Sequence, residues 1–226
     1  MSPDRFPTGA HGAPPSIVII TLDCVRPDFL GCYGSREVRT PNLDRMAARG
    51  LVFEQSISQA PNTWVSHAGI FTGCYPPLHG LRTPYDGLLS RVPTLATVLK
   101  PLGYGTAGFP GNDLAGSRMG FGAGFDLFFE QYRQGQPGGP EPGAGPAAPV
   151  ASAGEPAPVT ATTRNDWEEV LQAAEQWLSA RRNRNGPVFL WFHYLDTHHL
   201  PEVKLPDYYR FSRDPHWQYY EGKISY

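Results

Sequence analysis

Asp23 closes the run Ser16-Ile-Val-Ile-Ile-Thr-Leu-Asp23, and Thr63 stands forty positions later in Ala60-Pro-Asn-Thr-Trp-Val-Ser-His67. A carboxylate carried to the end of an apolar strand can ligate a hard divalent cation through oxygen. A hydroxyl in the first turn of a small-residue helix sits where backbone N–H groups and the helix dipole favour an anion. Together the two residues suggest a metal-activated oxygen nucleophile for an anionic ester. Each also has a plainer reading, Asp23 as a turn or helix cap and Thr63 as an N-cap.

The elements that must position these groups are legible in the apolar pattern. Ile17 to Leu22 is a continuous apolar, largely β-branched run, the pattern of a strand buried on both faces. Thr40-Pro41 reads as an N-cap and first helical position, with Leu43, Met46 and Ala47 on one face and Gly50 as the stop. Leu51-Val-Phe53 reads as a short strand, Ser66 to Thr72 as a helix closed by Gly73, Thr94 to Leu102 as a helix, and Tyr104 to Phe109 as the next strand. Asn165-Asp-Trp-Glu168 has capping-box form. Trp167, Val170, Leu171, Ala174 and Leu178 then recur at helical spacing, predicting a helix to about Arg182. Pro187 to Tyr194 is a second apolar strand, ending in the polar cluster Asp196-Thr-His-His199. Alternating strands and helices imply an α/β fold with a largely parallel sheet, whose chemistry gathers at the carboxyl ends of the strands. Asp23 and Asp196 both follow strands in that way.

The bulk numbers are consistent with such a fold. At 226 residues and 40% hydrophobic content the chain can bury a normal core. Its net charge of −2 gives no basic face, so no nucleic-acid partner is expected. Cys24, Cys32 and Cys74 are odd in number and form no C-x-x-C pair, which argues against a disulfide framework. No apolar run approaches the roughly 18 residues that span a bilayer, and Met1 to Ser16 has no apolar centre. A cytoplasmic protein without a membrane partner is the expectation. Residues 1–15 read as a disordered tail. From Gly135 to Pro158, nineteen of twenty-four residues are Gly, Pro or Ala, so that stretch reads as a flexible insertion.

The wider pattern is more specific than any single residue. Ile19-Ile-Thr-Leu-Asp-Cys-Val-Arg-Pro-Asp-Phe-Leu-Gly-Cys-Tyr-Gly34 resembles the opening of the sulfatase family within the alkaline phosphatase superfamily. Thr40-Pro-Asn-Leu-Asp-Arg-Met-Ala-Ala-Arg-Gly50 is similar to its second block. Ala60-Pro-Asn-Thr-Trp-Val-Ser-His-Ala-Gly-Ile-Phe-Thr-Gly73, with Tyr75-Pro76 and His79-Gly80, resembles its nucleophile helix. Phe189-Leu-Trp-Phe-His-Tyr-Leu-Asp-Thr-His198 resembles the strand ending in Asp-x-His, and Glu221-Gly-Lys-Ile-Ser-Tyr226 the start of the helix after it. The five blocks occur in the family's order across residues 16–226.

The resemblance implies an alkaline phosphatase-like sandwich and a two-step displacement. Asp23 and Thr63 would hold a divalent metal (Ca, Mg, Mn or Zn), and Thr63 would attack a small sulfate, phosphate or phosphonate ester to form a covalent intermediate. His67, one helical turn along, can contact the anion or the leaving group, or lie on the helix surface bonded to backbone. His198 matches the family's anion-contacting histidine and is assigned to catalysis and substrate binding; His193 and His199 read as structural. Arg26 can support the anion or pair within its turn. Formylglycine enzymes carry Cys or Ser in a C-x-P-x-R context, whereas here Thr63, Val65 and His67 stand at those positions, so no formylglycine is expected. Cys24 stands where those enzymes carry a second Asp, and Gly108-Phe-Pro-Gly-Asn-Asp113 lacks their sulfate-contacting Lys and His.

The family's further metal ligands lie on a strand beyond the region matching Tyr226. The chain is therefore expected to be the N-terminal part of such a domain, weak or inactive alone, with an exposed sheet edge open to self-association. A non-catalytic remnant that at most binds an anion is the alternative. A nucleotide-binding module rests only on Gly105-Thr-Ala-Gly108-Phe-Pro-Gly111, which lacks the G-x-G-x-x-G order.

Overall fold

A computed structural model describes residues 14–36, 38–83, 86–88, 90–130, 167–181 and 186–195. Residues 1–13 of the predicted tail, the 135–158 insertion, and Asp196, His198 and His199 lie outside the described residues. The chain divides into two compact units, one comprising residues up to Thr21 with Ser58–His193, the other Leu22–Ile57 with Tyr194–Tyr226.

The first unit is built on a four-stranded sheet. Its strands are β1 (Ile17–Leu22), β2 (Gly105–Phe109), β3 (Leu127–Phe128) and β4 (Val188–Tyr194), in the spatial order β1-β4-β2-β3. β2 is parallel to β3 and to β4, with Ala107 opposite Leu127 on one side and Leu190 on the other. Val188 N–H donates to Ser16 Oγ and Asp23 N–H to Tyr194 O, so β1 and β4 also run the same way. The parallel sheet inferred from the alternation of elements is therefore present.

Position in the sheet decides which strands are buried on both faces. β2 is buried throughout and β4 through its five central residues. β1 is not, contrary to the expectation from its apolar run. Ile17, Ile19 and Thr21 turn toward the core while Val18 and Ile20 are 54% and 50% exposed. Among the described residues β1 ends the strand order and nothing covers its second face. A composition rich in Val and Ile cannot distinguish that case from a central strand.

Aromatic rings fill the space beside the sheet. Trp191 is fully buried and packs against Phe71 at 4.7 Å between centroids, with Phe121, Phe125 and Phe128 about it. Helix α2 (Thr63–Thr72) buries Val65, His67, Ala68, Gly69 and Phe71 and ends at Gly73, whose φ of 64° is the left-handed stop expected there. Its start is three residues earlier than the predicted Ser66. The short α3 (Pro76–His79) follows. α4 covers only Leu95–Leu99 and tightens into a 3-10 turn over Lys100–Leu102, because Pro101 has no N–H for the next α-helical bond. Thr94 caps α4 in a reciprocal box with Thr97. α5 (Trp167–Ala180) buries Val170 and Ala174 of its predicted apolar face, whereas Leu171 and Leu178 on that face are exposed; Asn165 and Asp166 of the predicted capping box lie outside the described residues.

Gly105 and Gly108 of the stretch weighed for a nucleotide lie in strand β2, in line with the strand read over Tyr104 to Phe109. An added Cβ at Gly105 would lie 2.1 Å from the Arg181 guanidinium, and one at Gly108 would lie 2.8 Å from the Phe128 ring. These glycines admit neighbouring side chains to the sheet and form no phosphate loop. Gly124 is constrained twice, by a φ of +87° and by a Cβ position 2.4 Å from Thr97 N. Gly124→Ala is expected to destabilise the chain by more than about 1 kcal/mol, seen as a lower melting temperature.

One ionic cluster ties this unit together. Asp126 accepts from Thr106 N–H at 3.1 Å and pairs with Lys100 Nζ at 2.9 Å and Arg181 Nη1 at 3.8 Å. Burial alone would raise its carboxyl, but Lys100, the Thr106 N–H and Arg181 together outweigh that and hold it below the usual value. A depressed carboxyl stabilises the fold above the unfolded value of about 3.9 and loses that contribution as pH falls through the lower folded value. Urea midpoints measured on acidification below about pH 4 should therefore fall less steeply in Asp126→Asn than in the wild type.

The second unit holds α1 (Pro41–Ala47) and two 3-10 turns, Pro27–Phe29 and Gly31–Tyr33. Thr40 occupies the N-cap position, but its hydroxyl accepts from Gly31 N–H and donates to Asp44 Oδ1 without capping the helix. Leu51-Val-Phe53 is not a strand. Leu51 and Phe53 are 86% and 68% exposed, and no described strand in this unit pairs with them. A short apolar triplet meets the local pattern, but a ladder needs a neighbour.

Candidate functional site

Asp23 belongs to the second unit and Thr63 to the first. Asp23 follows β1 directly and is half-buried, with its N–H held by Tyr194 O at 2.8 Å. The chain turns sharply next, since Cys24 has a φ of 58°. Cys24 Sγ donates to Asp23 Oδ1 at 3.8 Å. Burial pushes the Cys24 thiol up, and the Asp23 charge and hydrogen bond add to that, so the thiol stays protonated as a donor at neutral pH.

Arg26 lies in the turn that follows. Its Nε donates to Asp28 Oδ1 at 3.0 Å, a second contact joins Nη2 to Oδ2, and the guanidinium sits 5.3 Å from the Phe29 ring centroid. The hydrogen bond to Arg26 holds the Asp28 carboxyl low. In this structure Arg26 forms the turn salt bridge that was one of its two sequence readings.

Thr63 is the first residue of α2 and is half-buried. The Asn62 side chain makes no cap, and the helical ladder begins with Ser66 N–H donating to Asn62 O at 3.0 Å. N–H groups of a first turn point out of the helix end with the positive pole of the dipole behind them. The Thr63 carbonyl accepts from His67 Nδ1 at 2.8 Å and from Ser66 Oγ at 3.1 Å. His67 is buried, at 5% exposure, and is not on the helix surface. Its Nε2 lies 3.1 Å from Thr21 Oγ1, and its ring centroid lies 4.4 Å from that of His193. Trp191 Nε1 donates to the same Thr21 oxygen at 3.2 Å.

The structure thus brings Thr63, His67 and His193 into one cluster with Thr21, which the sequence reading had not singled out. A hydroxyl inside an otherwise apolar strand, Ile19-Ile-Thr-Leu22, was the available signal. Asn112 and Asp113, after β2, are engaged locally, Asn112 capping Ala115 N–H and Asp113 pairing with Arg118 at 3.3 Å.

Each of the two residues, taken by itself, has the chemistry of a metal ligand. Asp23 offers a carboxylate and Thr63 a hydroxyl, both hard oxygen ligands. Among the described residues, no three His, Cys, Asp or Glu side chains lie close enough to hold an ion.

The parallel α/β sheet, with an acid after its first strand and a hydroxyl opening a buried helix, agrees with the alkaline phosphatase-like fold that the family resemblance implies. The family model described as Sulfatase matches residues 15–223, and the chain belongs to the sulfatase family. Mouse steryl-sulfatase is 35% identical over 118 residues, covering 47% of this chain and 19% of that protein. An arylsulfatase of Clostridium perfringens is 38% identical over 93 residues, covering 41% and 19%. The chain thus spans about a fifth of the length of these relatives.

Three solved structures show the same fold at low identity. A protein in complex with its substrate D-glucosamine-2-N,6-O-disulfate aligns with a TM-score of 0.60 at 20% identity, over 82% of this chain and 35% of that one. An alkaline phosphatase superfamily protein from Vibrio parahaemolyticus aligns at 0.55 and 21%, over 95% and 49%. The phosphonate monoester hydrolase of Agrobacterium radiobacter aligns at 0.55 and 20%, over 82% and 41%. The family generally uses a divalent metal ion. No helix among the described residues is long and apolar enough to cross a membrane.

Proposed function

We propose that this chain contributes the nucleophile-bearing part of a metal-dependent hydrolase of sulfate, phosphate or phosphonate esters. One observation carries the reading. Thr63, which the family resemblance puts at the nucleophile position, opens a ten-residue helix whose N-cap residue Asn62 makes no side-chain cap and whose first carbonyl is anchored by His67. Threonine cannot be converted to formylglycine, so the nucleophile is the Thr63 hydroxyl itself.

Thr63 Oγ1 would bond to sulfur or phosphorus while the ester bond to the leaving oxygen breaks, and water would then hydrolyse the covalent Thr63 ester. The α2 N-terminus would stabilise charge on the non-bridging oxygens. Asp23 and Thr63 would be two ligands of the divalent ion, which supplies Lewis-acid lowering of the hydroxyl pKa when bound. A Ca shell takes about six to eight oxygens, so further ligands would come from residues outside the described ones. His67 would serve Thr63 through the carbonyl bond. Arg26 would reach an anion only by exchanging its Asp28 contact, and His198 is the proposed anion contact from beyond β4. Sulfated sugars and phosphonate monoesters, named for two of the structural relatives, are the substrate classes to try first.

The test is hydrolysis of aryl sulfate, phosphate and phosphonate esters by the chain with Ca, Mg, Mn or Zn supplied in turn. Weak metal-dependent turnover is the most that this chain alone is expected to show, and the preferred ester identifies the substrate class. Absence of turnover with every metal overturns the hydrolase reading for this chain and leaves a non-catalytic relative.

A further inference from the structure

Thr21 is the hub of the polar cluster in the first unit. Its Oγ1 lies 3.2 Å from Trp191 Nε1, 3.1 Å from His67 Nε2, 3.0 Å from His193 Nδ1 and 3.3 Å from Phe192 O. A threonine hydroxyl has one proton to give and two lone pairs to fill. Phe192 O can only accept, so it competes with His67 Nε2 for that one proton; the contact to His67 is the shorter, 3.1 Å against 3.3 Å, and giving it the proton satisfies all three side chains.

The assignment begins at the Thr63 carbonyl, which can only accept. His67 Nδ1, 2.8 Å away, must therefore carry a proton. A neutral His67 then presents a bare Nε2, which needs the Thr21 proton. The Trp191 indole can only donate, so it fills one Thr21 lone pair. The remaining lone pair faces His193 Nδ1, which must be an N–H. No other arrangement with both rings neutral makes hydrogen bonds of all three side-chain contacts to Thr21. Sending the Thr21 proton to His193 instead would require His67 to be an imidazolium, among the rings of Trp191, Phe121 and His193.

We propose that Thr21 and His193 are positioning residues: a directed chain, His193 to Thr21 to His67 to the Thr63 carbonyl, locks both imidazoles as the Nδ1–H tautomer and pins the first turn of α2. Strand β1, which ends beside Asp23, thereby also sets the orientation of the helix that presents Thr63. Outer partners that orient a working residue commonly cost ten- to a hundredfold in activity when removed. The consequence for turnover rests on Thr63 being the nucleophile, whereas the hydrogen-bond chain stands without that reading.

The experiment is long-range proton–nitrogen correlation NMR on the full chain labelled with 15N-histidine. His67→Gln and His193→Gln would assign the two rings. Wild type and Thr21→Ser are expected to show a protonated Nδ1 and bare Nε2 on both rings. Thr21→Val, which keeps the shape and loses the hydroxyl, is expected to lose that signature at His67. A protonated His67 Nε2 in the wild type, as the other tautomer or as imidazolium, overturns the proposal, and so does an unchanged His67 signature in Thr21→Val. If Thr21→Val does not fold, the wild-type and Thr21→Ser spectra still decide. On the preferred aryl ester, Thr21→Val is expected to lower kcat about tenfold at little-changed KM, with Thr21→Ser restoring it. A wild type without turnover sinks the nucleophile reading while the spectra judge the chain of bonds independently.

Discussion

Thr63→Ala is expected to abolish metal-dependent ester hydrolysis, lowering the rate by a factor of roughly 10³ or more. Removing a nucleophile costs more than removing a group that orients it, because no other atom can form the covalent ester. Thr63→Ser keeps the hydroxyl and should retain much of the rate. The fold should tolerate both changes, since the bonds to this residue from His67 and Ser66 end on its backbone carbonyl, which neither change removes. Circular dichroism and urea midpoints near the wild-type values would therefore accompany the lost rate. A Thr63→Ala protein that still turns over ester at the wild-type rate would place the nucleophile elsewhere.

The largest effect on stability is expected at Trp191. The ring is fully buried and is ringed by Phe71, Phe121, Phe125 and Phe128, so truncation opens a cavity that rigid aromatic neighbours fill poorly. Trp191→Ala should cost about 3–5 kcal/mol. Set against a total stability of about 5–15 kcal/mol, that leaves a protein at or near unfolding. Urea denaturation would show it as a lower midpoint at a similar slope. Trp191→Phe keeps most of the apolar volume and should cost less, losing mainly the indole N–H donated to Thr21. A midpoint unchanged by Trp191→Ala would mean that the aromatic cluster is not the centre of the core.

Elements whose signals are local could be read without a structure. β1 was placed at Ile17–Leu22, α2 was stopped at Gly73, and the spacing of Trp167, Val170 and Ala174 located α5. Each depends on chain propensity or on the period of side chains about a single axis. The misreadings share a different cause. Leu51-Val-Phe53 has the composition of a strand but no described strand beside it, and β1 has the composition of a central strand but stands last in the sheet order. Tyr104 to Phe109 was correctly read as a strand, but a sequence does not reveal that Arg181 and Phe128 press against its glycines.

For the candidate site the division is similar. Sequence alone determined the family, the acid after the first strand and the threonine in place of a convertible cysteine, because those depend on residue type and order along the chain. Only the tertiary structure decided that Arg26 pairs with Asp28, that His67 is buried, and that Thr21, Trp191 and His193 meet its ring. Those contacts join residues as far apart as 172 positions. The physical reason is that hydrogen-bond direction and burial are properties of neighbours in space, and packing of β1, β4 and α2 creates neighbours that no local pattern encodes.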